Sequence, residues 1–270
     1  MPRLRKWSLR ILAVIAVLYV AIAIRVAAVD NVAPAFSGTP APMSHVAIFG
    51  ASGTAGDGIL KAAIADPDIQ KIEVVTRRIT PRMEAGIATG KVEATVHMDY
   101  LDYAAIHDIV RDVDAVYWAI GLSSLGVDED TYRRIHVDFP RRFIEEWAGV
   151  SSKSGASFHY ISSSDISEDS SAMWARVKVE AENALFGFAE ESNLKVIAYR
   201  PDYIGPTQEE AHLGQQLLYW FFRPLGAAVR ATEIGESMLE ATARGDEFEN
   251  GDKLTTWGIR RYSDAYAGRR

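Results

Sequence analysis

A glycine-rich loop between a predicted strand and a predicted helix constrains this chain more than any other feature of its sequence. The apolar run His45–Phe49 predicts a short strand, and Gly50, Gly53 and Gly56 follow it at three-residue spacing. Helical spacing of apolar residues then continues through Asp57–Ala65. A strand, a glycine loop and a helix in this order are typical of the first unit of a doubly wound α/β sheet.

Each glycine has its own role in such a loop. Gly50 permits a tight turn, Gly53 lets the backbone approach a diphosphate, and Gly56 allows the helix to pack closely on the strand. The N–H groups at the start of the helix then face the phosphates. We therefore predict a dinucleotide site; a plain glycine turn without a ligand is the alternative. The residues expected to contact the cofactor here are Gly50, Ser52, Gly53, Thr54, Ala55 and Gly56.

The G-x-x-G-x-x-G spacing resembles that of the short-chain dehydrogenase/reductase superfamily, in its atypical and extended branches. The chain looks most similar to the oxidoreductases related to the Tat-interacting protein, from about Ser44 to Pro206. The resemblance implies an α/β Rossmann-type domain with a doubly wound parallel sheet, which we place at residues 43–270. After Pro206 the alternation of strands and helices ends, and we expect a small C-terminal lobe.

Two arginines follow the second predicted strand, Lys71–Thr76. A site for NAD usually has an acidic residue here for the ribose 2′-hydroxyl, whereas arginine would receive the 2′-phosphate of NADP. Arg77 and Arg78 therefore favour NADP over NAD, which stays the second choice. Two solvated surface arginines are the alternative interpretation.

The resemblance assigns further cofactor contacts after the third and fourth strands. Asp99, which follows the strand Val92–Val96, would lie beside the adenine. Ala119 and Gly121, at the end of a strand predicted over Asp114–Ile120, would let the cofactor ribose pass closely. A turn acid and a turn glycine are the alternatives.

Serines follow the fifth predicted strand, Phe158–Ile161. In an open parallel sheet, residues at the carboxyl end of a strand face the ligand crevice. In the family that the chain resembles, one such serine holds the substrate carbonyl. Ser164 is the best match and Ser163 the next, and a serine-rich turn that caps the following helix is the alternative.

The helix after these serines departs from the family pattern. Family members have Tyr-x-x-x-Lys, in which the lysine binds the nicotinamide ribose and lowers the tyrosine pKa, and the tyrosine passes a proton to the carbonyl oxygen. This chain has Lys178 but places Trp174 where the tyrosine belongs. An indole N–H donates a hydrogen bond but is not a usable acid near neutral pH. The usual proton donor is therefore missing.

Residues after the sixth strand could take part in the site. Tyr203 is a substitute proton donor that could approach the nicotinamide, and Pro201 would close the cofactor pocket as it does in the family. Asp165 and His159 are weaker candidates. Each of the three proton-donor candidates also has a purely structural interpretation.

An apolar segment precedes the predicted domain. Ile11–Ile24 is unbroken, and the run extends to Val29 if Arg25 is allowed, which is nineteen residues or about 28 Å of helix, close to the thickness of a bilayer core. Residues 1–30 are therefore a membrane anchor, a cleaved signal peptide with Ala33-Pro34-Ala35 as its small-residue pattern, or an over-extended start before Met43. Residues 31–42 predict an extended linker.

The charge distribution and the predicted cofactor point to opposite sides of the membrane for the body of the protein. The basic groups before the apolar run should hold the N-terminus on the cytoplasmic side and so place the body outside, although a nicotinamide dinucleotide is found inside cells. A start at Met43 would leave a cytoplasmic protein. Residues 43–270 carry 24 basic and 35 acidic groups, a net charge of −11, which argues against nucleic-acid binding.

The sequence contains no motif that is typical of the other functional classes we considered. The chain has no cysteine, and its six histidines never fall at a metal-ligand spacing, so we expect no metal site. Leu217–Phe222 is rich in aromatic residues, for which core packing, a substrate pocket and a membrane contact are the interpretations. Two functions follow: an NADP-dependent oxidoreductase acting on a small, apolar carbonyl compound, or a non-catalytic NADP-binding sensor or scaffold. The sequence leaves the substrate and the oligomeric state open.

Overall fold

Parallel strands dominate the computed structural model of this chain, which describes residues 2–30, 36, 38–209 and 211–270. The strands are β1 (His45–Phe49), β2 (Lys71–Thr76), β3 (Val92–Val96), β4 (Ala115–Trp118), β5 (Ser157–Ile161), β6 (Lys195–Arg200), β7 (Tyr203–Gly205), β8 (Ala228–Arg230) and β9 (Asp252–Thr255). Seven of them form one sheet in the order β3-β2-β1-β4-β5-β6-β9, and every neighbouring pair is parallel.

Helices cover both faces of this sheet. The helices of the described residues are α1 (Pro2–Asp30), α2 (Thr54–Ala65), α3 (Pro81–Ala88), α4 (His107–Val110), α5 (Glu129–Arg133), α6 (Phe139–Val150), α7 (Met173–Glu190), α8 (Leu213–Phe222), α9 (Ala231–Ala243) and α10 (Thr256–Gly268), of which α1 and α8 lie away from the sheet. This is the predicted doubly wound α/β architecture, with the predicted apolar helix before it.

The strand order reverses at the centre of the sheet. Val46 of β1 pairs with Ile72 of β2 on one side and with Ala115 of β4 on the other. The connections that leave β1 and β4 therefore run to opposite faces, which opens a crevice at the carboxyl ends of these two strands. The glycine loop lies at this crevice.

One face of the sheet packs closely against helices. A methyl group added at Gly58 of α2 would lie 2.1 Å from the carbonyl carbon of Ala231 in α9, and one at Gly235 of α9 would lie 2.7 Å from the Cα of Ile59. The two helices therefore touch backbone to backbone. On the other face a cluster of rings fills the core, in which Phe49 stacks on Trp118 at 4.8 Å between centroids.

The helical segment around Pro140 is continuous. A π-helical turn, Arg134–Asp138, joins α5 to α6, and Pro140 occupies the first turn of α6. The sequence predicts two helices or one kinked helix here, with the proline as the cause. The structure instead places the irregularity before the proline, where a π-turn inserts one extra residue into the helix.

The C-terminal residues differ from the prediction. The alternation of strands and helices does not end at Pro206, because α9 covers the sheet, β9 pairs with β6, and α10 packs on α9. The part outside the main sheet is limited to β7, α8 and β8, of which the two strands pair with each other. Strand β9 lies at the edge of the sheet and has four residues, of which only Leu254 is buried; it overlaps the short last strand that the sequence predicts at Lys253–Trp257.

The aromatic segment of α8 is not core. Tyr219 is buried, but Leu217, Leu218, Trp220 and Phe221 are each about half exposed. The interpretation as core packing was wrong for four of these side chains. A helix that lies on the surface can bury only the face that meets the protein.

Helix α1 includes a segment, Ile11–Ala28, long and apolar enough to cross a membrane, and none of it is deeply buried. Part of the predicted linker is docked on the body, since the Ala41 N–H donates to the Ala243 carbonyl at 2.7 Å. Residues 31–35, with the signal-peptide pattern Ala33-Pro34-Ala35, lie outside the described residues.

Candidate cofactor and active site

Each glycine of the loop is constrained differently by its surroundings. Gly50 has φ +81°, and a methyl group there would lie 2.6 Å from the Ala119 carbonyl carbon. A methyl group at Gly56 would lie 2.1 Å from the Gly50 oxygen. At Gly53 the nearest atom would be that same oxygen at 3.5 Å, an ordinary contact. The fold itself therefore requires glycine at positions 50 and 56, whereas position 53 faces space that a ligand can occupy.

Helix α2 begins within the motif and offers unpaired donors. Its cap residue, Gly53, has no side chain to accept a hydrogen bond, and the first main-chain bond of the helix runs from the Asp57 N–H to the Gly53 carbonyl at 2.8 Å. The N–H groups of Thr54, Ala55 and Gly56 precede that bond and are the donors that a helix start leaves unsatisfied. Together with the helix dipole they suit an anion.

A cavity of about 370 Å³ adjoins this loop. Its walls combine the glycine loop, the end of β2, the end of β4 and the π-helical turn. The lining residues are Gly50, Ser52, Gly53, Thr76, Arg77, Arg78, Tyr100, Ala119, Ile120, Gly121, Leu122, Ile135 and Phe139. Seven of the residues predicted for cofactor binding are therefore brought together around one space of a size usual for a ligand.

Arg77 and Arg78 both face this cavity and are exposed. Arg78 also lines a second cavity on the other side of the glycine loop, with Asp57 and Arg82. Arg82 is paired with Asp57 at 2.6 Å. Within the described ranges, neither Arg77 nor Arg78 has a carboxylate within salt-bridge distance. The structure thus leaves two guanidinium groups available beside the loop.

Asp99 has a structural contact where a cofactor contact was predicted. It is exposed, and its Oδ1 accepts the Leu101 N–H at 3.0 Å, which fixes the turn after β3. The next residue, Tyr100, lines the cavity and stacks on Phe139 with 5.5 Å between ring centroids. Burial raises the pKa of Tyr100. The sequence analysis missed this ring, since a tyrosine in a turn carries no motif.

Gly121 packs against a histidine that the sequence analysis also missed. A methyl group at Gly121 would lie 2.9 Å from Cε1 of His136, which the π-helical turn directs toward the end of β4. Burial lowers the pKa of His136 to about 2, with the charge of Lys178 adding to the effect. His136 is therefore neutral, and its buried Nδ1 has no hydrogen-bond partner in the part of the chain that the structure describes.

The serines lie in the loop after β5, which runs beside the loop after β6. The Ser162 N–H donates to the Tyr199 carbonyl at 2.7 Å, and the Ser164 N–H donates to the Pro201 carbonyl at 3.2 Å. The loops after β5 and β6 therefore stay paired past the ends of their strands, which brings Pro201 beside Ser164. Ser163 and Ser164 are half-buried, so their hydroxyl groups remain available at the crevice edge.

Lys178 lies under these serines. Its Nζ donates to the Ile161 carbonyl at 2.9 Å and to the Tyr160 hydroxyl at 3.3 Å, and only 5% of the residue is exposed. Burial lowers the pKa of Lys178 to about 7, although Glu182 partly opposes the shift. The amine is therefore fixed at the carboxyl end of β5, the strand that Ser162–Ser164 follow.

The remaining candidates lie in different settings. Trp174, one turn before Lys178, is half-buried against the aromatic core. The Tyr203 hydroxyl donates to the Gln215 carbonyl of α8 at 3.3 Å. Asp165 is exposed with φ +53°. His159 lies in β5 and is fully buried, and the Tyr199 hydroxyl is 2.9 Å from its Nδ1.

Two fungal proteins are similar in sequence. The protein fmp52-1, mitochondrial, of Aspergillus terreus is 27% identical over 194 residues, which cover 70% of this chain and 74% of that protein. The protein fmp52, mitochondrial, of Emericella nidulans is 25% identical over 188 residues, covering 68% and 77%. No family model matches the chain.

Solved structures are similar in fold. A short-chain dehydrogenase/reductase from Serratia marcescens has a TM-score of 0.62 at 19% identity, with coverage of 80% of this chain and 97% of that one. BdcA in complex with NADPH gives 0.57 at 16%, covering 78% and 92%. The UDP-glucuronic acid 4-epimerase from Bacillus cereus in complex with NAD gives 0.58 at 13%, covering 78% and 77%.

These neighbours support the fold described above. The sequence resemblance rests on the G-x-x-G-x-x-G loop and on Lys178, and the structural resemblance extends over about four-fifths of the chain. Solved structures that are less than 20% identical to this chain indicate its fold and do not identify its substrate. The chain has the fold of the short-chain dehydrogenase/reductases and resembles an atypical member of them.

Proposed function

We propose that this chain is an NADP-dependent oxidoreductase that acts on a small, apolar carbonyl compound or on the corresponding alcohol. One observation carries the proposal: the cavity beside the unpaired N–H groups of α2 also receives Arg77 and Arg78. The N–H groups suit a diphosphate and the guanidinium groups suit a further phosphate. NADP carries both, whereas NAD carries only the first.

The residues present fit this cofactor. The fold leaves room for a side chain at Gly53. A side chain there would, however, block the close approach of a diphosphate. Ala119 and Gly121 keep the opposite wall of the cavity free of bulk. When bound, the nicotinamide ring supplies or accepts the hydride.

The chain's own residues would position the carbonyl and supply the proton. Ser163 and Ser164 would hold the carbonyl oxygen from the crevice edge. Lys178 holds a proton that is partly dissociated near neutral pH, because burial lowers its pKa to about 7. A general acid works best when its pKa lies near the operating pH. We therefore assign to Lys178 the proton transfer that Trp174 cannot perform, and Tyr203 becomes the second candidate.

A non-catalytic NADP-binding sensor or scaffold is the second candidate function. It is favoured by Trp174 and by the enclosure of Lys178, whose Nζ donates to Ile161 and Tyr160 inside the protein. A cofactor site without an accessible proton donor would bind the nucleotide and leave it unchanged.

Cofactor preference is tested by titrating the purified chain with NADPH and with NADH and following nicotinamide fluorescence. The doubly substituted variant Arg77→Ala/Arg78→Ala should lose about ten- to a hundred-fold in NADPH affinity, the value of one or two charge-assisted hydrogen bonds. Its NADH affinity should be unchanged. Arg141→Ala, an exposed arginine of α6, is the matched control. Equal losses for both nucleotides would contradict the NADP assignment.

Turnover separates the two functions. NADPH oxidation is measured with a panel of aldehydes and ketones, for the natural chain and for Lys178→Met. The oxidoreductase predicts repeated turnover by the natural chain, and Lys178→Met should abolish it even at an NADPH concentration that saturates the variant. NADPH binding without turnover on the whole panel would favour the sensor.

We also propose that α1 is a membrane anchor. The support is the length, composition and exposure of Ile11–Ala28. The two similar fungal proteins are named as mitochondrial, and a body in the same kind of compartment would meet NADP. Sedimentation of the full chain with vesicles, before and after a carbonate wash, tests the anchor.

A further inference from the structure

Helix α8 presents large apolar side chains to the surface on one side. Leu213, Leu217, Leu218, Trp220 and Phe221 have exposed fractions between 48% and 73%. We call these five residues the outer face of α8. Single exposed apolar residues are common, but a cluster of five on one short helix marks an interaction surface.

The outer face continues into α1. The Tyr19 hydroxyl donates to the Phe221 carbonyl at 3.0 Å, and the two rings are 5.5 Å apart. A methyl group at Gly226 would touch Val26 at 3.4 Å. The apolar surface of α8 and that of α1 therefore lie side by side.

The position of this contact along α1 is informative. Tyr19 lies near the middle of Ile11–Ala28, nine residues before its end, which is about 13 Å of helix. The hydrocarbon of one leaflet is about 15 Å thick. The Phe221 end of the outer face of α8 therefore lies beside the interior of Ile11–Ala28 and shares the environment of that segment.

Local chemistry agrees with lipid as that environment. Phe221 is in the last turn of α8, where a helix leaves its carbonyls without partners, and the bond from Tyr19 satisfies one that lipid could not. Trp220 and Trp257 are both half exposed, and tryptophan is enriched at the bilayer surface. Arg25 and Arg260 line a cavity together with Trp257, so positive charge borders the apolar surface of an otherwise acidic body.

We propose that the outer face of α8 inserts into the acyl region of the same bilayer leaflet as the second half of α1. The body would then lie against the membrane and not on a free tether. This inference goes beyond the oxidoreductase function and rests only on the entry of α1 into lipid.

The absence of cysteine makes a direct test straightforward. Single cysteines are introduced into the full chain at Leu217, Leu218 and Ile15, and at the loop residue Leu125 as a control. Each of these side chains is about half exposed or more, so the substitution leaves the core intact. A nitroxide is attached, the protein is reconstituted in phosphatidylcholine–phosphatidylglycerol vesicles, and relaxation by oxygen and by a water-soluble nickel chelate is compared.

We expect oxygen to dominate at Ile15, Leu217 and Leu218, and the nickel chelate to dominate at Leu125. If the label at Ile15 is in lipid but those on α8 are reached by nickel, the inference is wrong and the anchor stands. If the labels on α1 and α8 are all reached by nickel, both fail. Spin–spin broadening at Leu217 that disappears on dilution with unlabelled protein would assign the outer face to a second copy, which also overturns the inference. NADPH titration in the same vesicles reports on the oxidoreductase site independently.

Discussion

The glycines of this loop serve different purposes, and substitution of each glycine by alanine can distinguish these purposes. Gly56 has the Gly50 oxygen 2.1 Å from where its Cβ would be, whereas Gly53 has only an ordinary contact at 3.5 Å. The backbone of Gly53 is extended, with φ −97° and ψ 168°, and this conformation is open to any residue. Folding and ligand binding can therefore be probed one at a time.

Gly53→Ala should fold with a free energy of unfolding within about 1 kcal/mol of the natural chain and lose most of its NADPH affinity. Gly56→Ala should lower that free energy by about 2 kcal/mol or more, because the backbone has to shift. Urea unfolding and fluorescence titration of both variants check this. Unchanged NADPH affinity in Gly53→Ala would mean that no diphosphate approaches this residue.

Lys178 should give the fold a pH dependence above neutrality. Its folded-state pKa of about 7 lies below the ordinary value of 10.5, so between these pH values the unfolded chain binds the extra proton and the folded chain does not. The free energy of unfolding should therefore rise with pH in this window, by up to about 1.4 kcal/mol per pH unit.

Lys178→Met removes this titration. The difference in free energy of unfolding between the natural chain and Lys178→Met, measured in urea at pH 6.5 and pH 9.5, should shift in favour of the natural chain as the pH rises. Parallel pH profiles would show that the amine is solvated in the folded protein.

Side chains near the cofactor loop were predicted unevenly from the sequence. Gly50, Gly53, Arg77 and Arg78 have motif positions, and the structure places these four around one cavity, whereas Gly56 packs against Gly50. Tyr100 lines the same cavity and His136 packs against Gly121, but each is placed there by a turn or a π-helical insertion that has no sequence signal. Asp99 was assigned by resemblance; one oxygen of its carboxylate fixes a turn, and its contact with the adenine stays a prediction.

At the scale of elements, helix α2 is the part on which the site depends, and it is held by α9. The contact at Gly58 and Gly235 allows the two backbones to touch, as in other helix pairs that cross at small residues. Strands β1, β2 and β3 were predicted with their observed bounds because each is a short apolar or alternating run after a turn. Strand β4 is shorter than the predicted Asp114–Ile120, and β9 overlaps the short last strand that the sequence predicts at Lys253–Trp257.

Gly235→Ala should lower the free energy of unfolding by about 1–3 kcal/mol, since its methyl group would lie 2.7 Å from the Ile59 Cα. Gly187→Ala in α7 is the matched control. It has no atom within 4 Å of the added methyl group and should raise the free energy of unfolding by about 0.5–1 kcal/mol. Equal effects of the two substitutions would show that α2 and α9 are not in close contact.

For the whole molecule, buried neutral histidines should make the fold sensitive to acid. Burial lowers the pKa of His136 to about 2 and that of His159 to about 3. Below the ordinary value of about 6.5, the unfolded chain binds these protons and the folded chain does not. The free energy of unfolding should therefore decrease as the pH falls from 6.5, by up to about 1.4 kcal/mol per pH unit for each histidine.

Urea unfolding at pH 7, 6 and 5 checks this acid response, in a range where ordinary carboxylates titrate little. His136→Gln should show about half the slope of the natural chain. A free energy of unfolding that stays constant from pH 7 to pH 5 would mean that both imidazoles reach water.

The backbone contact between α2 and α9 also bears on how a nucleotide would be received. The contact at Gly58 already fixes the first turns of α2, so this helix loses little conformational entropy when a nucleotide binds. Most of the entropy cost of association then comes from ordering the flexible ligand. Receptor preorganisation of this kind predicts closely similar amide exchange protection with and without the nucleotide for α2 from Gly58 onward, whereas the N–H groups of Thr54, Ala55 and Gly56 should gain protection when they bind phosphate.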